Sequence, residues 1–585
     1  MAANLIQDLF QRKARRRIRV TAFFCALWLL VVFGRLIQLQ VFSHGRALEQ
    51  VTAQNQRMIT IQADRGTIYD RNGRILARSL PARTIYYAPA NPQESLAARF
   101  EPIKRLRDKL DLSDEDLARI QGQLADNDKY IILKRKADPD LAAQVYSPRL
   151  VISYHEDSRR FYPLGRQAAH VLGGVQADES GAAGIEAKFN SSLAGKPGRG
   201  FILRDAKLRK YGFEVLEEPT IGRDLALTLD ETIQYIAQSE LEKAVAETRS
   251  AGGTVIVSNP VSGEILAMAS APTYDPNDFS QAAKADVINS AVQSAIEPGS
   301  TFKIITAAAA IESRVVSFAE SFDCGKGSIS TPGCAIRDHK TFGRLDFPGI
   351  IIHSSNVGAI QIGRRLDAAS FEATIRAFGF GRKTGLELPG EAKGKLRPMT
   401  EWTPRSQSSL SIGYEISATP VQILQAVNVV ANRGRLVPLR IIESIQGGRP
   451  RPEPALSDPV LSAASCEKLI GIMERVVGEG TGKEAAAEGY ETAGKTGTTQ
   501  KFDPEAKAYS SQHHIASFVG FVPAANPRLS MIVILDDPQT SGHYGGQIAA
   551  PVFREIARKA LLVVGIPPRR SAGPLLAGLR KDGSR

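Results

Sequence analysis

The sequence predicts an α+β protein whose large exported part follows a single N-terminal transmembrane helix. Two observations carry this prediction. An uncharged apolar stretch at residues 20–34 follows a basic cluster, and residues 216–566 place apolar strand patterns both early and late, with helix-prone segments between them. A chain of 585 residues is too long for one hydrophobic core, so we expect several domains.

The N-terminal segment has the composition of a membrane anchor. Residues 12–19 contain six basic side chains, and the apolar pattern that follows continues past Arg35. A helix over residues 20–40 is about 30 Å long, which matches the hydrocarbon core of a bilayer. The basic cluster places the tail of residues 1–19 in the cytoplasm and exports the rest. A cleaved signal peptide is the competing interpretation, and the length of the apolar stretch disfavours it.

The net charge of +13 at pH 7 raises the question of a nucleic-acid partner. Most of the excess lies at the two ends, with +5 in residues 1–19 and +4 in residues 567–585. The part between them is nearly balanced for its size, so the charge indicates membrane orientation and we predict no nucleic-acid partner. Proline, glycine and charge in residues 567–585 predict a flexible tail.

Cysteine is too scarce for a scaffold built on disulfides. The four cysteines are Cys25, Cys324, Cys334 and Cys466. Their spacing matches no zinc or haem motif and the chain has no P-loop, so we predict neither a metal nor a cofactor. One loop disulfide between Cys324 and Cys334 stays open.

Residues 41–215 contain nothing that suggests catalysis, and we expect a structural or docking module there. Alternating apolar positions on both sides of Asn72-Gly73 predict a hairpin that turns at this pair. Residues 94–148 are charged and helix-prone, and residues 150–215 return to strand and turn character.

Residues 216–566 are predicted to form the second exported domain. Asp230 is placed to cap a helix, and two strand patterns meet around residues 259–263. Residues 515–523 and 529–537 are late strand candidates, and a helix pattern closes the domain. Strands from both ends of the segment predict an antiparallel sheet.

The segment EPGSTFK predicts a reactive serine. Ser300 follows a Pro-Gly turn and starts a helix, and Lys303 lies one turn on, on the same face. A serine hydroxyl needs a base, and a desolvated lysine has a pKa low enough to serve. N–H dipoles at the helix start favour a developing oxyanion. The pattern alone is weak evidence, because Ser465 and Lys468 repeat it in an amphipathic helix.

Two further motifs follow in order along the chain. Residues 354–356 read SSN, where a hydroxyl can relay a proton and an amide can hold a substrate carbonyl. Residues 495–498 read KTGT, where glycine lets a substrate backbone pair along a strand edge and the lysine and threonines suit a carboxylate. A second K-T-G copy at residues 383–385 lies in a loop rich in glycine and proline, so we choose the later copy.

The ordered triple S-x-x-K, S-x-N and K-T-G resembles the penicilloyl-serine transferase superfamily, which comprises penicillin-binding proteins and serine β-lactamases. The resemblance extends over nearly the whole chain. The blocks similar to class B penicillin-binding proteins are RGTIYDRNGRILA, YPLGRQAAHVLG, GIEAKFN, GEILAMASAPTYDPN, EPGSTFK, SSN, SIGYEISATPVQ and AGKTGTTQK. SIGYEISATPVQ, FVGFVP and YGGQIAAPVF are more similar to the division-specific (septal) transpeptidase than to the elongation-specific one.

The resemblance implies a pedestal or dimerisation-like domain over residues 41–215. It implies a serine β-lactamase-like transpeptidase domain over residues 216–566, with a five-stranded antiparallel sheet flanked by helices. The expected protein spans the bacterial inner membrane once, and its periplasmic domain cross-links the stem peptides of peptidoglycan. β-Lactams are the expected covalent inhibitors. Class B members lack a glycosyltransferase domain, so a multipass septal glycosyltransferase and other division proteins are expected partners.

The resemblance also implies the roles of individual residues. Those expected to act at the reacting bond are Ser300, Lys303 and Ser354. Those expected to bind the donor peptide are Asn356, Lys495, Thr496, Gly497 and Thr498. Ser300 would be the acylated nucleophile with Lys303 as its base, and the N–H groups of Ser300 and Thr498 would form the oxyanion hole.

Other functions stay open at this point. A carboxypeptidase or β-lactamase needs a deacylating carboxylate, and Glu387 and Glu391 follow the SSN motif, although we interpret both as loop charges. A β-lactam sensor needs a signalling domain, for which residues 1–19 are too short. A non-catalytic scaffold of the division complex would not need all three motifs intact. The elongation-specific transpeptidase is the alternative within the same family.

Overall fold

The structure is a computed structural model of the chain. It describes residues 2–42, 56–89, 94–128, 130–204, 210–448, 458–503, 505, 508–540 and 542–569. The last residues of the predicted flexible tail, 570–585, lie outside this range.

Within the described ranges the strands occur in the following order. They are β1 (Gln56–Ile61), β2 (Ile68–Tyr69), β3 (Ile75–Tyr87), β4 (Ile131–Ala137), β5 (Ile152–Phe161), β6 (Gly198–Arg204), β7 (Lys210–Glu217), β8 (Leu225–Leu227), β9 (Gly252–Ser258), β10 (Ile265–Ala271), β11 (Ser321–Asp323), β12 (Ser328–Thr331), β13 (Cys334–Arg337), β14 (Arg344–Asp346), β15 (Lys395–Leu396), β16 (Ile416–Ser417), β17 (Ile442–Ile445), β18 (Ala493–Asp503), β19 (Ala508–Val522) and β20 (Leu529–Asp536).

The α-helices follow the same chain order. They are α1 (Ala2–Ile37), α2 (Leu96–Lys104), α3 (Arg107–Leu110), α4 (Asp114–Ala125), α5 (Pro139–Val145), α6 (Ala169–Leu172), α7 (Gly184–Lys188), α8 (Asn190–Leu193), α9 (Glu231–Thr248), α10 (Ser290–Gln293), α11 (Lys303–Glu312), α12 (Phe347–Ile352), α13 (Asn356–Gly363), α14 (Ala368–Ala377), α15 (Ser406–Leu410), α16 (Pro420–Ala431), α17 (Ala463–Gly478) and α18 (Gly545–Val563).

Helix α1 contains the predicted membrane anchor. It begins at Ala2, so the basic segment before the apolar stretch is helical as well, and a short π-helix over Gln38–Phe42 follows it. Lys13–Phe42 is the segment long and apolar enough to cross a membrane by length and composition, with a mean hydropathy of 2.2 and no burial against the described protein. The predicted span, residues 20–40, lies inside it.

The chain divides into two compact units. The first combines Met1–Ala63 with Lys196–Thr220, and the second combines Asp64–Gly195 with Ile221–Arg585. The first unit contains a three-stranded antiparallel sheet in the order β1-β6-β7, in which Met58 lies opposite Phe201. This division does not test the predicted domain boundaries, which stay predictions.

A six-stranded sheet of the second unit is built around the predicted hairpin. Strands β2 and β3 pair antiparallel, and the turn between them includes Gly73 with φ +79°. Asp70 fixes the turn, because its carboxylate accepts the N–H groups of Asn72 and Arg74, both at 2.8 Å. The sheet continues in the order β17-β8-β2-β3-β4, with β5 also on β3. The helix-prone segment 94–148 is only partly helical, since β4 lies within it.

A five-stranded sheet of the same unit confirms the predicted antiparallel architecture. Its strand order is β10-β9-β20-β19-β18, so the first and last parts of the domain pair directly, with Ile256 opposite Ile532. Asp230 caps α9 as predicted, since its side chain accepts the N–H groups of Thr232 and Ile233. The domain closes with α18.

Period-2 alternation gives this sheet two buried faces. Ile256 belongs to a hydrophobic cluster that includes Ile304 of α11. Val255, the preceding residue, belongs to a second cluster that includes Phe553 of α18 and Ala237 of α9. Helices therefore cover both faces, and α11, which carries the predicted catalytic lysine, is buried along nearly its whole length.

Candidate active site

Ser300 lies in a tight turn that feeds α11. A 3-10 turn over Gly299–Phe302 precedes the helix, and Ser300 is half-buried. Gly299 has φ +54°, and a Cβ there would collide with the Thr499 hydroxyl. Its N–H donates to the Gly413 carbonyl at 3.1 Å. Two closely packed backbone segments therefore fix the serine, where the sequence predicted only a helix start.

Lys303 is completely buried one turn after the serine. Its Nζ donates to the Ser354 carbonyl at 2.7 Å, to Asn356 Oδ1 at 2.7 Å and to Ser354 Oγ at 3.2 Å. Burial lowers the pKa of Lys303 to about 7, and the negative charge of Asp338 opposes that shift. A large fraction of this lysine is therefore unprotonated at neutral pH, as a base must be.

The SSN motif connects two helices beside Lys303. Ser354 has φ +61°, a left-handed conformation that turns the chain after α12. Ser355 caps α13 by accepting the Gly358 N–H at 3.0 Å, and Asn356 is the first residue of that helix. Asn356 Nδ2 donates to the Arg337 carbonyl at 2.7 Å, so its Oδ1 faces Lys303.

Lys495 is the second fully buried lysine of the site. Its Nζ donates to Ser354 Oγ at 3.0 Å and to the Thr496 carbonyl at 3.1 Å. Burial holds the pKa of Lys495 well below its ordinary value, and the charge of Lys303 lowers it further. The three predicted motifs therefore meet at one hydroxyl, that of Ser354.

Gly497 lies where strand β18 passes close to the serine turn. A Cβ at this position would collide with Ser517 Oγ and would lie 2.9 Å from the Thr301 methyl group. Glycine is thus required by close packing. On the same strand, the Thr496 hydroxyl bonds to the Thr481 hydroxyl at 2.8 Å.

Thr498 has its hydroxyl oriented by the start of the last helix. Gly545, the first residue of α18, donates its N–H to Thr498 Oγ1 at 3.1 Å. An oxygen that accepts this bond keeps its own hydrogen for a ligand. The arrangement suits a carboxylate, which accepts hydrogen bonds only.

The two repeated motifs lie elsewhere and form ordinary structural contacts. Ser465 is within α17 and bonds to the Ser462 hydroxyl at 2.9 Å. The K-T-G copy at residues 383–385 lies in a loop, where the Glu391 carboxylate accepts the N–H and hydroxyl of Thr384. Glu387 accepts the Ile441 N–H at 3.0 Å. Both glutamates thus make the loop contacts that we expected of them.

The four cysteines are free thiols, so the loop disulfide left open by the sequence is not formed. Cys324 is buried, and its Sγ lies 3.4 Å from the Ser355 Oγ. Among the residues that the structure describes, no group of three or more His, Cys, Asp or Glu side chains could hold a metal ion.

Sequence reasoning missed three residues that support the motifs. Asp338 accepts hydrogen bonds from the start of α13, Thr481 bonds to Thr496, and Gly413 accepts from Gly299. Each reaches the site from a different element of the fold, and no periodicity or spacing links it to its partner. Gly413 lies in the block SIGYEISATPVQ, which was the available signal.

Two family models match the chain. Residues 253–558 match the penicillin binding protein transpeptidase domain, and residues 60–227 match the penicillin-binding protein dimerisation domain. Stage V sporulation protein D of Bacillus subtilis is 33% identical, over 95% of this chain and 87% of its own. The peptidoglycan D,D-transpeptidase FtsI of Escherichia coli K12 is 30% identical, over 93% of this chain and 91% of its own.

Solved structures agree with these matches. Penicillin-binding protein 3 of Mycobacterium tuberculosis, complexed with ampicillin, aligns with a TM-score of 0.69 at 28% identity, over 88% of this chain and 98% of its own. Penicillin-binding protein 2X of Streptococcus thermophilus aligns with a TM-score of 0.72 over 87% of this chain and 81% of its own. At 22% identity, the second likeness shows the fold alone.

The site combines a serine, a lysine of lowered pKa one helical turn later, and a K-T-G strand beside them. This arrangement is typical of acyltransferases that work through a serine ester, the class to which the penicillin-binding enzymes belong. Family models and relatives extend this agreement over nearly the whole length, and the chain belongs to the class B penicillin-binding proteins. Its activity is peptidoglycan D,D-transpeptidation, and β-lactams bind to it. With its N-terminal apolar helix, it is a single-pass protein of the inner membrane.

Proposed function

We propose that this transpeptidase works at the division septum. The observation that carries the proposal is the similarity of SIGYEISATPVQ, FVGFVP and YGGQIAAPVF to the division-specific branch. The relationship to FtsI of Escherichia coli supports it. The elongation-specific role is the second candidate.

In the proposed reaction Ser300 is the nucleophile and Lys303 its base. The Ser300 oxygen attacks the carbonyl carbon of the D-Ala–D-Ala bond, and its proton passes to the neutral amine of Lys303. The N–H groups of Ser300 and Thr498 stabilise the oxyanion of the tetrahedral intermediate. Its collapse breaks the peptide bond, and the departing D-Ala takes up a proton by way of Ser354. The fully buried Lys303, with its pKa near 7, supports this assignment.

The acyl-enzyme is then resolved by an amine of a neighbouring stem peptide. That amine attacks the Ser300 ester, loses a proton to the Ser354–Lys303 pair and forms the cross-link, which regenerates the serine. The donor peptide bond supplies the driving force, so no nucleotide is consumed.

The proposed donor site uses the SSN segment and strand β18. Asn356 would donate its second N–H to a carbonyl of the donor peptide. Lys495, Thr496 and Thr498 would hold the terminal carboxylate, with Gly497 giving the donor backbone access to the strand edge. The hydroxyl of Thr498, already accepting from Gly545, supports this assignment.

We further propose that residues 1–19 lie in the cytoplasm and that the catalytic domain is periplasmic. The six basic side chains directly before the apolar stretch support this orientation. The proposed partners are a multipass septal glycosyltransferase and other division proteins. Transpeptidation acts on glycan strands that a polymerising enzyme has made, which supports the first of these partners.

The septal role is tested by location and by depletion. A fluorescent fusion of the full chain is expected at midcell during constriction, and depletion is expected to give filaments with smooth sides. A fusion spread along the side walls, with depletion giving round cells, would support the elongation-specific role instead.

The scaffold and hydrolase alternatives are tested in turn. A full-length Ser300→Ala variant is expected not to restore growth or cross-linking after depletion. Restoration of both would favour a scaffold. A labelled penicillin that the wild-type enzyme releases within seconds would favour a hydrolase over a transpeptidase.

A further inference from the structure

Asp338 is a carboxylate that the reaction described above leaves unused. It follows the antiparallel hairpin of β12 and β13, where Thr331 lies opposite Cys334. From the end of this hairpin its side chain reaches the start of α13. Its Oδ2 accepts the Ser355 hydroxyl at 2.8 Å, and its Oδ1 accepts the N–H of Asn356 and that of Val357, the latter at 3.1 Å.

The residue before it holds the other end of Asn356. The Arg337 carbonyl accepts one N–H of the Asn356 amide at 2.7 Å. An amide held through its nitrogen cannot flip, so its oxygen stays on the Lys303 side, 2.7 Å from Nζ. The second N–H of the amide remains for a substrate. Two consecutive residues of the hairpin thus fix both the backbone and the side chain of Asn356.

The charge of Asp338 also acts on Lys303. It raises the pKa of that lysine, against the larger lowering by burial. The other titratable groups facing Lys303 are Lys495 and His339. Burial lowers the pKa of each, and the charge of Lys303 lowers it further. Asp338 therefore supplies a negative charge next to this cluster of basic side chains.

We propose that Asp338 is a positioning residue for transpeptidation, which holds Asn356 in register with Lys303 and keeps a negative charge beside that lysine. The inference rests on the roles proposed for Lys303 and Asn356. The hairpin of β12 and β13, which contains none of the three motifs, thereby takes part in catalysis.

The chain offers a matched control in Asp346. This aspartate caps α12, the preceding helix, by accepting the Gly349 N–H at 2.8 Å, and its cap bond is to that helix and not to the SSN segment. Asp346→Ala therefore removes a helix cap of the same kind without releasing Asn356.

The test measures acylation of the detergent-solubilised full chain by a fluorescent penicillin, from pH 5.5 to 9. Asp338→Ala is expected to slow acylation at least about tenfold relative to Asp346→Ala, because a charged hydrogen-bond acceptor is lost. Asp338→Asn keeps an oxygen for the two backbone N–H groups and loses the charge. In the Asp338→Asn variant, the rise of the acylation rate with pH is expected to begin at a lower pH, since Lys303 then loses its proton more readily. We call this rising part of the pH–rate profile the acidic limb.

The inference is overturned if Asp338→Ala acylates as fast as Asp346→Ala, or if Asp338→Asn keeps the wild-type acidic limb. Asp338→Asn decides the matter if Asp338→Ala fails to fold, as judged by its thermal transition. Lys303→Ala distinguishes failure of the proposed base from failure of the inference about Asp338. If it acylates normally, the proposed base is wrong; if it is inactive while both Asp338 variants behave as wild type, the inference about Asp338 alone is wrong.

Discussion

The ammonium groups of Lys303 and Lys495 bond to the same oxygen, the Oγ of Ser354, at 3.2 and 3.0 Å. Both lysines are fully buried, and burial lowers the pKa of each. Two protonated lysines on one hydroxyl repel each other in a medium of low dielectric, so the pair favours a state with one proton fewer. This geometry fits the proton relay proposed for Ser354, since its hydroxyl joins the serine side and the K-T-G side of the site.

Replacing Ser354 by alanine should therefore slow acylation while leaving the fold intact. The shared hydroxyl is lost, but Lys303 keeps its bonds to the residue-354 carbonyl and to Asn356. We expect a loss of about ten- to a hundredfold, at the lower end of the effects of acid–base groups. The measurement is the rate of labelling by a fluorescent penicillin. Ser465→Ala, in the repeated S-x-x-K motif, is the control and should label at the wild-type rate.

The acylation rate should rise with pH through neutrality. Lys303 must be neutral to accept the serine proton, and its pKa is about 7. Raising the pH increases the neutral fraction, so the rate at pH 6 should be about a tenth of the alkaline plateau. Stopped-flow measurements of the acylation rate between pH 6 and 8 test this dependence. A rate that is flat between pH 6 and 8 would mean that Lys303 is not the base.

Thr498→Val should impair ligands that carry a carboxylate more than those that do not. Valine keeps the shape and removes the hydroxyl that Gly545 orients. A hydrogen bond to a charged group is worth about 1.5–3 kcal/mol, so the acylation efficiency of a penicillin should fall at least about tenfold. Its methyl ester should lose much less. If the acylation efficiency fell equally for the acid and the ester, Thr498 would not be a binding partner of the carboxylate.

Gly497→Ala should disrupt the site by collision. The added methyl group meets Ser517 Oγ and lies 2.9 Å from the Thr301 methyl, so β18 must move away from the serine turn. We expect a lowered melting temperature and acylation reduced at least about tenfold. Gly471→Ala, within α17, is the matched control, because no atom lies within 4 Å of the added methyl group. This control should acylate as the wild type does and melt at or slightly above the wild-type temperature, because alanine favours a helix interior over glycine.

Much of the fold could be predicted from the sequence, because strands and helix caps depend on short local patterns. The hairpin at Asn72-Gly73, the cap at Asp230 and the antiparallel sheet built from both ends of the domain all follow from short patterns, and all are confirmed. The three motifs were recognisable because they occur in a fixed order along the chain. Their convergence on Ser354 could not be predicted, since hydrogen bonds between separate segments produce no periodic pattern in the sequence.

The supporting residues show the same limit in physical terms. Asp338 acts from the end of a hairpin, and Gly413 meets Gly299 backbone to backbone. Such contacts depend on tertiary packing, which residue type and spacing do not encode. The 3-10 turn at the serine was missed for a related reason, because Gly299 takes its left-handed conformation in order to pack against β18.

Ser300 as the acylated nucleophile is tested most directly by intact-protein and peptide mass spectrometry after treatment with benzylpenicillin. We expect one added penicilloyl group per chain, on the peptide that contains Ser300, and no addition to the Ser300→Ala variant. An adduct on another residue, or a chain that stays unmodified while the penicillin is intact, would contradict it.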